Sequence, residues 1–148
     1  MSEREILFRG KRVDNGEWIE GGFVPSLNGK RFYIGNMFEC VEIIPEARCE
    51  YTGLKDKNGT RIFEGDIVKI TGFHTTAIAA VKYGSPSEKS TSWGWYFDDN
   101  HGHTYHLESQ AFCRDYNAII IGNIHDNPEL LCENAEKRLL EGYSIKER

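Results

Sequence analysis

Apolar and polar residues alternate in short bursts along most of this chain, and turn-forming residues separate the bursts. Alternation with a period of two reads as half-buried strands. Ile6 to Lys11 and Trp18 to Val24 form one such pair, joined by Val13-Asp14-Asn15-Gly16, and predict an N-terminal hairpin. Pro25 to Lys30 is a further turn, Arg31 to Ile34 a further strand, and Cys40 to Pro45 a short apolar segment ended by its proline. The densest pattern comes next. Tyr51 to Leu54, Thr60 to Phe63 and Ile67 to Ile70 read as three short strands. Asn58-Gly59 predicts a type I′ hairpin between the first two, because both central residues of that turn need positive φ. Glu64-Gly65-Asp66 predicts the second turn.

Phe73 to Tyr83 predicts a strand paired with Ile67 to Ile70, and Gly84 to Ser92 a small, polar loop. Trp93-Gly94-Trp95-Tyr96-Phe97 reads as an aromatic strand ended by Asp98-Asp99-Asn100. Tyr105 to Leu107 and Ala118 to Gly122 supply the last strands. Asn127-Pro128-Glu129 reads as a helix start: Asn caps, Pro is tolerated at the first position, and Glu suits the positive end of the dipole. Leu130, Leu131, Ala135, Leu139 and Leu140 recur at near-helical spacing, and Gly142 is the stop.

Three of these stretches resemble the YopX-like family of proteins encoded by bacteriophages and by prophages. They are Arg4-Glu5-Ile6-Leu7-Phe8-Arg9, the central Tyr51 to Gly59 running into Ile62 to Val68, and Ile121-Gly122-Asn123-Ile124-His125-Asp126-Asn127-Pro128-Glu129-Leu130-Leu131. Their order and spacing fit the family from residue 4 to residue 131. The chain departs from the common pattern at Gly10-Lys11-Arg12, where many relatives carry an aromatic residue. The resemblance implies a mainly β protein with an SH3-like small β-barrel in its C-terminal part, and it brings no catalytic residue with it. The expected organisation is an N-terminal β-hairpin region over residues 1–50, an SH3-like β-barrel over 51–127, and a short C-terminal α-helix and tail over 128–148.

Composition narrows the class. With 39% hydrophobic and 28% charged residues among 148, the chain fits one domain or two small subdomains sharing a core. No apolar run approaches the ~20 residues that cross a bilayer. The charged start Met1-Ser2-Glu3-Arg4-Glu5 does not read as a signal peptide. The expected location is cytoplasmic, which for a phage protein is the host cytosol. Cys40, Cys49, Cys113 and Cys132 are far apart with no Cys-x-x-Cys pair, which in a reducing cytosol predicts free thiols. A formal charge of -5 argues against non-specific duplex binding, because phosphate neutralisation dominates that affinity. Residues 51 to 82 hold only a slight local excess, five basic side chains against three acidic.

Candidate chemistry is sparse. His101-Gly102-His103-Thr104-Tyr105-His106 is the one cluster with metal-ligand residues, but in a strand His101 and His103 face away from His106, and no fourth ligand is placed. The expectation is no metal and no cofactor. Glu64 and Asp66 are explained by a turn, Ser85, Ser87, Ser90 and Ser92 lack the nucleophile elbow, and the glycines match no phosphate loop. Trp93 and Trp95 alternate onto one face beside Tyr96 and Phe97, a set that reads first as core and second as a ledge for peptides or bases. Leu131 and Leu139 lie on the helical stripe, which packs on its own domain or on a neighbouring subunit. The partner-binding candidates are therefore Trp93, Trp95, Tyr96, Leu131 and Leu139. The expected function is that of a phage or prophage accessory protein, non-enzymatic, acting through protein–protein contacts with a second copy of itself or with a host or phage protein. The alternative is a nucleic-acid-binding SH3-like module.

Overall fold

A computed structural model describes residues 5–35, 38–72, 75–86, 93–99, 104–106 and 117–131. The chain is mainly β and divides into two compact units, Met1–Leu54 and Lys55–Arg148.

In the first unit the strands are β1 (Phe8–Lys11), β2 (Trp18–Pro25), β3 (Phe32–Gly35), β4 (Cys40–Ile43) and β5 (Cys49–Lys55), which runs across the boundary. They lie side by side in the order β4-β3-β2-β1-β5. The expected first hairpin forms with Phe8 opposite Gly21 and Lys11 opposite Trp18. Its turn is closed by the Arg12 N–H on the Glu17 carbonyl at 2.9 Å. Arg12 also grips Asp14 through two nitrogens, and that hydrogen bond holds the Asp14 carboxyl below its ordinary pKa. The sheet curls enough for Arg12 to bridge Ile43, with the Ile44 N–H donating to the Lys11 carbonyl at 2.8 Å. Two glycines permit the curl by leaving space. A side chain on Gly10 would begin 2.5 Å from Ile43 Cδ1, and one on Gly21 would begin 3.1 Å from Ile34 Cγ2. Ile34 and Ile43 fill that space and are buried, as are Ala47, Cys49 and Tyr51.

The second unit holds β6 (Arg61–Phe63), β7 (Asp66–Gly72), β8 (Thr75–Gly84), β9 (Gly94–Asp98), β10 (Thr104–His106) and β11 (Asn117–Asn123). Five of these form an antiparallel sheet in the order β10-β9-β8-β7-β11. The expected pairing of β7 with β8 is present, with Ile67 opposite Ala80 and Ile70 opposite Ala77. Register puts Val68, Ile70, Ala79, Val81, Trp95, Phe97, Ala118 and Ile120 on one face, and all are buried. A bulge shifts the register between Ile120 and Gly122, and Ile121 points to the other face by alternation. There it joins Ile67 and Ile78 in a second cluster.

No closed barrel is found among the described residues. The outer side of β11 meets a turn instead of another strand. The Lys57 N–H donates to the Ala118 carbonyl at 2.9 Å, and the Ile120 N–H donates to Asp56 Oδ2 at 3.1 Å. The same carboxylate builds the turn, since Oδ1 accepts the N–H groups of Asn58 and Thr60 at 2.9 Å each. This corrects the type I′ expectation. The Gly59 N–H donates to the Asp56 carbonyl at 3.0 Å, so the central residues are Lys57 and Asn58, and Gly59 follows with φ 81. That is the signature of a type I turn with a left-handed bulge glycine, and Asp56 favours it by capping the turn from within.

The last described segment is a chain of backbone bonds. The Ile124 N–H reaches the Gly65 carbonyl at 2.8 Å, which ties it to the Glu64-Gly65-Asp66 turn. Asn123 Oδ1 accepts the His125 and Asp126 N–H groups, and Asn127 Oδ1 accepts the Asn123 N–H. Where the α-helix was expected to start, Pro128–Leu131 forms a 3-10 turn. Residues 132–148, which carry the rest of the expected helix, lie outside the described residues. Among the described residues no helix is long and apolar enough to cross a membrane.

Replacing Asp56 by Ala removes the acceptor for three backbone N–H groups. It is expected to lower stability by about 2–4 kcal/mol in urea unfolding. Asp56→Asn keeps one acceptor oxygen and is expected to cost roughly half as much. At Gly59 a side chain meets nothing within 4 Å, so the cost is conformational alone. Gly59→Val is expected to destabilise by about 1–2 kcal/mol. An unchanged melting temperature would contradict the positive φ at that position.

Candidate functional site

The aromatic candidates are split by the backbone. Gly94 opens β9 at φ 153, a conformation side chains rarely adopt, and separates Trp93, before the strand, from Trp95 within it. Trp95 is 3% exposed and faces the main core beside Phe97. Its ring meets Tyr83 edge-on, with centroids 4.9 Å apart. Trp93 precedes the strand and is 73% exposed. Its ring lies over Gly84, 3.8 Å from where a side chain there would begin. Tyr83, at the end of β8, is 59% exposed although its partner Trp95 is buried. Trp93 and Tyr83 are thus two exposed rings near one end of the β8–β9 pair, and Tyr83 packs edge-on against the buried Trp95. Tyr83 was not singled out in the sequence. Its signal is the alternation Ala79, Val81, Tyr83, which runs off the core face into solvent.

Tyr96 is half-buried on the opposite face, across from Lys82 on β8. Lys82 Nζ pairs with Asp98 Oδ2 at 2.7 Å on that same face. Leu131 is half-buried and, with Leu130, packs on the Ile67, Ile78 and Ile121 cluster of its own unit. Leu139 lies outside the described residues, as do His101 and His103, and of His106 only its place in β10 is described. Asp66 is fully buried, and its Oδ2 accepts the Phe63 N–H at 2.8 Å. That bond gives it a structural task within the turn, as the sequence suggested.

A second surface lies in the first unit. Phe23 and Phe32, on β2 and β3, stack with centroids 5.4 Å apart, and Phe8 joins Phe23 at 5.2 Å. The Arg48 guanidinium lies 5.1 Å from the Phe23 centroid and 5.2 Å from the Phe32 centroid. Arg48 follows the 3-10 turn Pro45–Ala47 in extended backbone. Its neighbours Ala47 and Cys49 are both buried, so alternation throws Arg48 outward. This cluster was missed in the sequence because its residues come from four separate segments, β1, β2, β3 and the approach to β5. The only local signal was an arginine between two small apolar residues after a proline.

Comparison with known proteins fits the resemblance noted in the sequence. The chain belongs to the YopX family: residues 8–132 match the family described as YopX protein. Among curated proteins none matches. Among solved structures, the crystal structure of protein EF1440 from Enterococcus faecalis is similar, at 26% identity over 88% of this chain and 100% of that one, with a TM-score of 0.49.

The two tryptophans should separate cleanly in unfolding experiments. Trp95→Ala empties a core position and is expected to cost about 3–5 kcal/mol. Trp93→Ala is expected to stay within roughly 0.5 kcal/mol of wild type. Equal losses at both sites would show that Trp93 is packed as core.

Proposed function

We propose that this YopX-family chain is a non-enzymatic accessory protein of phage or prophage origin that works in the host cytosol through protein–protein contacts, a second copy of itself included. The exposed rings of Trp93 and Tyr83 carry the reading. A large ring left in water gains roughly 1.5–3 kcal/mol when it is covered. Trp and Tyr are also the residue types that concentrate binding energy at protein interfaces. The buried Trp95 ring gives Tyr83 a rigid support, so a partner would meet it with little ordering cost. The second unit holds an open antiparallel sheet among the described residues, and β10 is an edge of it. An edge strand can accept a further strand from a partner.

The alternative, a nucleic-acid-binding SH3-like module, rests on the same rings, because bases also stack on them. The formal charge of -5 weighs against it.

Light scattering across a concentration series tests the contact directly. Wild type is expected to gain mass with concentration, and Trp93→Ala combined with Tyr83→Ser to remain lighter while the β circular-dichroism spectrum survives. Affinity capture from lysogenic host cells, run with the wild type and the double variant, extends the test to other proteins. A wild type that stays monomeric and captures nothing beyond what the variant captures would sink the reading. Gel mobility shift at two salt concentrations checks the alternative, which requires a strongly salt-dependent shift.

A further inference from the structure

We propose that Arg48, mounted on the Phe23–Phe32 pair, is a receptor for a single carboxylate: an aspartate or glutamate flanked by apolar residues in a partner protein. The inference rests on the protein-contact reading above and assigns a chemistry to a different surface, in the first unit.

The geometry uses one property of the guanidinium and leaves another free. Its centre lies 5.1 and 5.2 Å from the two ring centroids, which satisfies its positive charge through the ring faces. Stacking consumes none of its N–H donors. Among the described residues no carboxylate or carbonyl accepts from the Arg48 side chain. Arg12, in the same unit, shows the paired alternative, with Nε and Nη2 on the two Asp14 oxygens at 2.9 and 2.7 Å. Arg48 presents the same fork to solvent.

The fork is also held in place. Ala47 and Cys49 are buried on either side, and the Arg48 N–H bonds the Pro45 carbonyl. The aromatic support restricts the side chain, so a ligand loses less conformational entropy on binding than it would with a free surface arginine. The planar fork matches a carboxylate through two parallel hydrogen bonds. Phe8, Phe23 and Phe32 are half-buried, and their remaining exposed surface suits apolar residues beside that carboxylate. Glu46 and Glu50 lie two positions away on either side, which disfavours a run of negative charge such as a nucleic-acid backbone.

The test uses the full chain and a capped pentapeptide with one central glutamate between leucines. Its glutamine counterpart, inorganic phosphate and a ten-residue oligothymidylate serve as the other arms. The readout is the Arg48 side-chain Nε–Hε resonance together with the dissociation constant. The glutamate peptide is expected to shift that resonance saturably and to bind at least about fivefold tighter than the glutamine peptide, roughly 1 kcal/mol. Arg48→Lys, which keeps the charge but loses the fork, is expected to abolish that preference, as is Arg48→Gln. Lys30→Gln, in an exposed turn of the same unit, is expected to leave it unchanged. Equal binding of the two peptides, or an undiminished preference in Arg48→Lys, overturns the inference. So does saturation by phosphate or oligothymidylate at lower concentration than by the glutamate peptide. If the peptide preference is absent while Trp93-dependent association persists, this inference fails and the reading of function stands.

Discussion

The second unit depends on the need to satisfy the backbone groups of β11. β7 pairs with one side of this strand, and its other side would expose N–H and C=O groups at the end of the sheet. A turn meets that need in place of a strand. Asp56, 64 positions earlier in the chain, accepts the Ile120 N–H with one carboxylate oxygen and organises its own turn with the other. Lys57 adds a backbone bond to Ala118. Hydrogen bonds to a charged acceptor contribute about 1.5–3 kcal/mol each, roughly twice the neutral kind. One side chain therefore both closes a turn and ends a sheet, which is why the sheet stays open there.

The same logic explains why the most recognisable stretches of the sequence say little about function. Asp56, Gly59, Gly65, Asp66, Gly122, Asn123 and Asn127 all lie in the stretches that carry the family resemblance, and nearly every one of them is engaged with backbone. Gly122 is an example of how tight this is, since a side chain there would begin 2.5 Å from Asn127 Oδ1. Asn123 is buried because its side-chain oxygen accepts two N–H groups of the turn that follows. Residues committed in this way are not available to a ligand. The surfaces that are available, around Trp93 with Tyr83 and around Arg48, lie outside those stretches except for Phe8.

Local pattern made much of the fold legible. Both hairpin turns, the β7–β8 pairing and the Glu64-Gly65-Asp66 turn follow from residues that are neighbours in the chain. What failed to show was set partly by local backbone detail that alternation does not encode and partly by contacts distant in sequence. The turn type at Asn58-Gly59 was misread because the deciding group is the Asp56 carboxylate, which looks like one more polar residue in Lys55-Asp56-Lys57. Trp93 and Trp95 differ in burial on either side of Gly94, whose φ of 153 alternation cannot anticipate. The start of the C-terminal segment was read as an α-helix, and Pro128–Leu131 takes a tighter 3-10 turn that seats Leu130 and Leu131 on the Ile67 cluster. The Arg48 platform draws on β1, β2, β3 and the approach to β5, so no window of sequence contains it.

Magnitudes decide which kind of partner these surfaces suit. Phosphate-backbone binding draws its affinity from many contacts at once, and proteins that use it typically neutralise about 6–10 phosphates. This chain carries a formal charge of -5, and Arg48 stands between two glutamates in sequence. One supported guanidinium supplies one bidentate contact, which is little against that repulsion but enough to select a single carboxylate at a contact otherwise made of apolar surface. The exposed Trp93 and Tyr83 rings have the complementary character, with large area and no formal charge. On the proposed reading, covering exposed rings would supply affinity on the second unit, and the arginine fork of the first would separately favour partners that present a carboxylate. The same division between an aromatic anchor and one directional charge pair recurs at interfaces in which area alone would not discriminate.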